Sequence, residues 1–126
     1  MYEGSRIMIE VLLVDDHTSF RQPLAYVMER EADLTVVAQV GSVEAARCVL
    51  KGFDVAVVDL GLPDGQGVDL IRDLRAASPD VKVLVLTASS DQREYARAIE
   101  AGAIGVMRKS VGIREIIERV RCLGCG

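Results

Sequence analysis

The chain has no tryptophan, and only two phenylalanines and three tyrosines among 126 residues. Half of it is hydrophobic all the same, so its core must be aliphatic, of Val, Leu, Ile and Ala, in the soluble globular class. No apolar run approaches the ~20 residues of a membrane-spanning helix. The opening Met1-Tyr2-Glu3-Gly4-Ser5-Arg6 carries no signal-peptide pattern. Together these make the cytoplasm the expected location. A zinc site normally takes four ligands, and the only histidine, His17, lies far in sequence from the closest pair among the three cysteines. Two of these form Cys122-Leu123-Gly124-Cys125, at the end of a helical pattern rather than at a helix start, where the dipole favours thiolate. They read as reduced cytosolic thiols. An excess of basic charge is also lacking: 15 Lys and Arg against 19 Asp and Glu give a formal net charge of -4, so direct nucleic-acid binding is not expected.

No repeat, linker or low-complexity segment interrupts the chain, whose length suits one domain with one sizeable core. Residues 1–7 read as a tail, natural or left by cloning, with Met8 as an alternative start. The domain proper is expected over 8–123, and 124–126 read either as a natural end or as the start of a linker to a missing output domain.

What the chain has is a regular alternation. Short β-rich apolar runs near 8–14, 34–40, 54–59, 81–87 and 104–108 alternate with helical stretches, which predicts a parallel sheet with helices on both faces. The third and fourth runs are nearly continuous in Val and Leu, as strands covered on both faces require. The first helix, near 18–30, is predicted to bury Phe20, Leu24, Val27 and Met28. Pro23 cannot donate to the Ser19 carbonyl, so that helix is expected to start late or bend. Ser42 is a plausible N-cap for the second helix, which stops before Gly52. The third carries Val68, Ile71 and Leu74 on one face and ends near Ser78-Pro79. The fourth opens with Asp91 and Glu94 at capping-box spacing and ends at Gly102. The fifth aligns Ile113, Ile116, Ile117, Val120 and Leu123, then meets Gly124.

The polar residues that follow the apolar runs carry the chemistry. Val11–Val14 runs into Asp15-Asp16, Val55–Val58 into Asp59, Val83–Leu86 into Thr87, and Ile104–Arg108 leads to Lys109. In a parallel sheet these residues meet at one carboxyl-terminal edge, where open α/β sheets place their ligand sites. Three close carboxylates repel one another. Mg²⁺ would relieve that repulsion through oxygen ligands, supplied by Asp15, Asp16, Asp59 and the carbonyl of Gly61. Taken singly, the acid pair suits an N-cap cluster, Lys109 a solvated lysine and Thr87 an ordinary strand residue. Taken together they suit a divalent metal and a phosphoryl group. Asp59 then acts as a nucleophile on phosphorus, with Lys109 neutralising a phosphate oxygen and Thr87 donating a hydrogen bond to another.

The set Val14-Asp15-Asp16-His17, Asp59-Leu60-Gly61-Leu62-Pro63-Asp64-Gly65, Thr87-Ala88 and Lys109-Ser110 closely resembles the receiver domain of bacterial two-component response regulators. The likeness spans about residues 8–123. The Leu-Pro-Asp-Gly loop, and Asp-Asp-His followed by Phe20-Arg21, are most similar to receivers that precede a LuxR/NarL-type helix-turn-helix domain. The resemblance implies a flavodoxin/CheY-like fold, with a five-stranded parallel sheet in the order 2-1-3-4-5. It implies Asp59 as the phosphoacceptor, Asp15, Asp16 and Gly61 as Mg²⁺ ligands with it, Thr87 as the switch hydroxyl and Lys109 as the phosphate-pairing lysine. Ala88 would leave room for the phosphoryl group, while Gly61 and Ser89 would flank the path of a hydrolytic water. A sensor histidine kinase, or a small acyl phosphate, is the implied donor. The implied readers are a second copy of the chain, another protein, or its own DNA-binding output domain.

Two departures stand out. Val106 occupies the position where such domains usually carry a switching aromatic, and Ser110 follows the lysine where many have a cis proline; before serine a cis bond costs several kcal/mol more. Tyr95, on the fourth helix, is a candidate reporter on the face formed by that helix, the fifth strand and the fifth helix, or else an ordinary packed helix residue. Val106 keeps open a second reading, a phosphorylation-independent pseudo-receiver that binds proteins. A phosphatase with an aspartyl nucleophile would carry a second acid two residues on, where this chain has Gly61, so turnover of external substrates is not expected.

Overall fold

The computed structural model describes residues 8–125; the expectations for 1–7 and for Gly126 lie outside them. Five strands, β1 (Ile9–Val14), β2 (Leu34–Val40), β3 (Val55–Asp59), β4 (Lys82–Thr87) and β5 (Gly105–Arg108), alternate with five helices, α1 (Thr18–Glu29), α2 (Val43–Arg47), α3 (Gly67–Ala77), α4 (Gln92–Ala101) and α5 (Ile113–Cys125). The strands form one parallel sheet in the order β2-β1-β3-β4-β5.

Side-chain alternation sorts each strand between two cores. Leu12 and Val14 of β1, Ala56 and Val58 of β3, and Val83 and Val85 of β4 pack with Val43 of α2, Leu70, Ile71 and Leu74 of α3, and Ala98 of α4. Val11 and Leu13, Val55 and Val57, and Leu84 and Leu86 pack on the other face with Leu24 and Met28 of α1 and Ile116, Ile117 and Val120 of α5. The central strands are therefore apolar through their middles, Val11–Val14, Val55–Val58 and Val83–Leu86, because both faces are covered. The same parity places the site. Asp59 continues Val55 and Val57 towards the α1/α5 face, Asp15 follows Val11 and Leu13, and Thr87 continues Val83 and Val85 towards α3 and α4.

Three helices differ from their sequence patterns. α1 does not start late: it begins at Thr18 and carries Pro23 inside it. Pro23 and Ser19 both lie on the exposed side, so the Ser19 carbonyl that loses its amide partner is left to water. Leu24, Ala25 and Met28 are its fully buried residues, with Phe20 and Val27 only partly covered. α5 does not stop at Gly124 but runs on to Cys125. Gly124 is there for space, since a Cβ would come within 2.5 Å of the Ile9 side chain. α4 is capped by Asp91, whose side chain accepts from the Arg93 amide, and it ends at Gly102 with φ 123°. The reciprocal half of its capping box is replaced: the Asp91 amide donates to Ser89 Oγ at 3.0 Å.

α2 is only five residues long, too short to stand by propensity. Its first turn is held from outside. Ser42 Oγ accepts from the Ala45 amide at 3.0 Å, and the Asp64 carboxylate accepts from Val43 at 2.7 Å and Glu44 at 3.0 Å. Asp64 belongs to the β3–α3 loop, so this capping joins two segments at the site edge. The two amides hold the Asp64 carboxyl below the usual carboxylate range. A group with a lowered folded pKa stabilises above its unfolded pKa of about 3.9 and loses that effect as pH falls through the folded value. Asp64→Ala is therefore expected to lower the thermal midpoint by a few degrees at neutral pH, with the gap closing as the pH is taken below about 4; melts across that range check it.

Candidate functional site

Asp15, Asp59 and Thr87 are the buried polar residues of the described chain, each at most 6% exposed. All three stand at the carboxyl ends of central strands. Burial of polar groups there is costly without partners, so their surroundings decide what the site does.

Lys109 Nζ lies 2.7 Å from Asp15 Oδ2 and 3.4 Å from Asp59 Oδ2. It also lies 4.9 Å from the centre of the Phe20 ring, which covers the ammonium from the α1 side. Asp59 Oδ1 accepts from the Gly61 amide at 3.2 Å. Asp15 is tied on both sides: its Oδ1 accepts from the His17 amide at 2.8 Å, and Arg21 Nη1 donates to its carbonyl at 2.7 Å. Burial is the largest effect on Asp59 and pushes its pKa up; the neighbouring Asp15 charge adds to this, against the Gly61 amide and Lys109.

The donor set fits a hard divalent cation. Ligand atoms of Asp15, Asp16, His17 and Asp59 all lie within 4.8 Å of one another, and the Lys109 ammonium pairs with only two of the three carboxyl groups. Asp16 Oδ1 is buried without a hydrogen-bond partner, and an orphaned oxygen at such a point is what a cation would satisfy. Gly61 lines the cleft, but its recorded contact with the site is through its amide to Asp59. A Cβ there would meet nothing within 4 Å, so sterics do not demand glycine at this position.

Beside the carboxylates opens a cleft of about 420 Å³, lined by Asp59, Gly61, Thr87, Ala88, Ser89 and Lys109 among others. Thr87 Oγ1 accepts from the Ser89 amide at 3.0 Å. Ser89 is held at two further points: its Oγ accepts from Asp91, and its carbonyl accepts from the Tyr95 hydroxyl at 2.5 Å. Val106 is half-buried against the α3/α4 core, a packed position with no large rotamer change to make. Lys109–Val111 forms a 3-10 turn, and there is no cis peptide bond among the described residues.

The structure thus brings Asp15, Asp16, Asp59 and Lys109 together, with Thr87 and Gly61 across the cleft mouth. Sequence reasoning placed Phe20 on the buried side of α1 and read His17, Phe20 and Arg21 as marks of the resemblance, but gave none of them a part in the site. Their one signal was adjacency to the acid pair. Nothing in the sequence pointed to Gly67, where a Cβ would meet Leu60 Cα and the Asp59 carbonyl oxygen.

A family model for the response regulator receiver domain matches residues 11–121. Among curated proteins, the chain is 38% identical over 121 residues to the DNA-binding transcriptional activator DevR/DosR of Mycobacterium tuberculosis, covering 94% of this chain and 56% of that protein. It is 38% identical over 117 residues to the KDP operon transcriptional regulatory protein KdpE of Escherichia coli, covering 90% and 50%. It therefore spans about half the length of the curated relatives it matches. A two-component response regulator of the LuxR family from Aurantimonas superposes with a TM-score of 0.86 at 27% identity, over 94% of this chain and 86% of that one. With the fold, the strand order and the acidic edge all in agreement, this chain belongs to the response regulator receiver domains.

Proposed function

We propose that this domain is a phosphorylation switch in which Asp59 accepts a phosphoryl group from a sensor kinase phosphohistidine or a small acyl phosphate. One observation carries the reading: a buried Asp59 carboxylate at the sheet edge, with Lys109 beside it and an open cleft in front. An Asp59 oxygen attacks phosphorus, the new P–O bond forms, and the bond to the donor nitrogen or acyl oxygen breaks. The leaving group departs with its electron pair. Lys109 sits where it can pair with a phosphoryl oxygen, and Thr87 can turn its hydroxyl from the Ser89 amide towards another. Mg²⁺, held by Asp15, Asp16, Asp59 and the Gly61 carbonyl, would supply charge neutralisation at the phosphoryl oxygens. No external turnover is proposed, since Gly61 stands where a general acid would be needed.

The test is intact mass after incubation with acetyl phosphate. One added phosphoryl group, dependent on Mg²⁺, is the expected result. No addition to the folded protein would favour the pseudo-receiver, the reading that Val106 keeps open.

Transmission would run through Ser89 and Tyr95. If Thr87 turns towards a phosphoryl oxygen, the Ser89 amide loses its acceptor and the strain passes to a carbonyl held by α4. Tyr95→Phe removes that one hydrogen bond, worth about 1 kcal/mol. Amide exchange over 88–91 is expected to quicken roughly fivefold in the unphosphorylated domain, with little change in the global melt. Unchanged exchange would remove Tyr95 from the route.

The partners proposed are a sensor histidine kinase and, following the DNA-binding relative, a DNA-binding output domain, of helix-turn-helix type if the likeness to LuxR/NarL-type receivers extends to it. The α4–β5–α5 face is the proposed reader surface. No helix of the described residues is long and apolar enough to cross a membrane, and the cytoplasm is the proposed location.

A further inference from the structure

His17 stands in the middle of the acidic edge rather than beside it. Its Nδ1 lies 3.2 Å from Asp15 Oδ1, 3.4 Å from Asp16 Oδ1 and 3.6 Å from Asp59 Oδ2. Lys109 Nζ lies 3.1 Å from the same nitrogen. One ring nitrogen carries either a proton or a lone pair. With a proton it can donate to Asp15 but then faces the ammonium donor. With a lone pair it can accept from Lys109 but then confronts carboxylate oxygens. Neither tautomer satisfies all its neighbours, and Asp16 Oδ1 stays unpaired in either case.

A divalent cation is one species that all four atoms can bind at once. Neighbouring ligands on an octahedral ion with bonds of about 2.1 Å are about 3 Å apart. The distances from Nδ1 to the three oxygens lie slightly above that edge, and the four ligand atoms lie within 4.8 Å of one another, so the carboxylates must draw together for one ion to hold them all. The ring needs no rebuilding for this. His17 is the N-cap residue of α1, but its side chain makes no capping hydrogen bond, and it is therefore not engaged elsewhere in the fold.

We propose that His17 is a further protein ligand of the metal centre, and that its nitrogen shifts the centre's preference from Mg²⁺ towards first-row transition ions such as Mn²⁺. The proposal rests on the acidic edge being a metal centre. Mg²⁺ favours oxygen ligands and retains its waters, whereas imidazole suits the first-row divalent ions better. An all-carboxylate edge would lack that bias. The consequence is a receiver whose loading follows the supply of transition metal as well as of magnesium.

The chain has a single histidine, which makes the test specific. Mn²⁺ is added to the domain and pulsed electron paramagnetic resonance reads the coupling to an imidazole ¹⁴N, in the wild type and in His17→Ala. Mn²⁺ and Mg²⁺ affinities are measured for both, with circular dichroism to show that the variant is folded. The expected result is an imidazole coupling present in the wild type and absent in the variant. The ratio of Mn²⁺ to Mg²⁺ affinity should fall roughly tenfold in His17→Ala, with Mg²⁺ affinity changed less than Mn²⁺ affinity. Bound Mn²⁺ without that coupling, or with an unaltered ratio, overturns the role of His17 and leaves the metal centre standing. Mg²⁺ bound without Mn²⁺ overturns the role of His17 alone, and neither ion bound to the wild type overturns both.

Discussion

Asp59→Asn is expected to take up no phosphoryl group from acetyl phosphate and, without metal, to unfold at a higher temperature than the wild type. The first effect is total because an amide oxygen is a far weaker nucleophile and no other carboxylate has the same place. Asp15 is engaged by Lys109 and by the His17 amide. The second effect follows from the surroundings of Asp59. Burial, with Asp15 close by, raises its pKa above the ordinary carboxylate value. A carboxyl whose pKa is raised on folding costs nothing below the unfolded value of about 3.9, and costs its full penalty above the folded one. Asparagine removes that penalty while its oxygen still accepts from Gly61. Lys109 keeps its shorter contact with Asp15. A gain of about 1 kcal/mol at neutral pH is the expected scale for relieving a strained buried charge. It should vanish as the pH approaches 4, and saturating Mg²⁺ should reverse it, since a bound ion stabilises the wild type more. Intact mass and thermal melts at the two pH values, with and without metal, check both halves. Full labelling of Asp59→Asn would sink the site assignment.

Gly67→Ala is expected to destabilise the domain by about 2 kcal/mol and to slow phosphorylation as well. On helix propensity alone the sign would be the opposite, because alanine gains up to about 1 kcal/mol over glycine within a helix. Here the first position of α3 lies against the β3–α3 loop. A Cβ would come 2.8 Å from Leu60 Cα and 3.0 Å from the Asp59 carbonyl oxygen, both backbone atoms with no rotamer to yield. Overpacking of this kind costs about 1–3 kcal/mol, and the steric effect wins. The atoms that must give way are those that place Asp59 and the turn to Gly61. Loss of stability together with loss of labelling rate is therefore the expected pair, read by denaturant unfolding and by timed mass spectra. A stabilised variant would show that the loop yields without cost.

Most of the architecture was legible because it rests on local pattern. Runs such as Val55–Val58 and Val83–Leu86 mark strands covered on both faces, and each ends on the residue that reaches the site. The strand order came from the resemblance, since periodicity alone says nothing of which strands pair. What was not legible depends on contacts across the sequence. The first turn of α2 is held by Asp64, 21 and 20 residues beyond the Val43 and Glu44 amides it caps. Gly124 reads as a stop signal, yet it is the space against Ile9 that it serves. Pro23 is tolerated because its side of α1 faces water, which a proline rule cannot know. Within the site, Asp15, Asp59 and Lys109 met as expected. The Ser89–Tyr95 bond and the place of His17 among the carboxylates needed coordinates, because a hydroxyl and an imidazole announce no partner in one dimension.

Asp15, Asp59, Thr87 and Lys109 come from the ends of four different strands, so the reactive geometry is a property of the completed sheet. β1 meets β3 and β3 meets β4 only through pairings that are distant in the chain, and such pairings form late because loop closure must precede their reward. A partly folded chain would hold the same carboxylates but not their convergence. Reactivity towards an acyl phosphate would then mark molecules that have finished folding, and a kinase would have little opportunity to load a signal onto a nascent or misfolded copy.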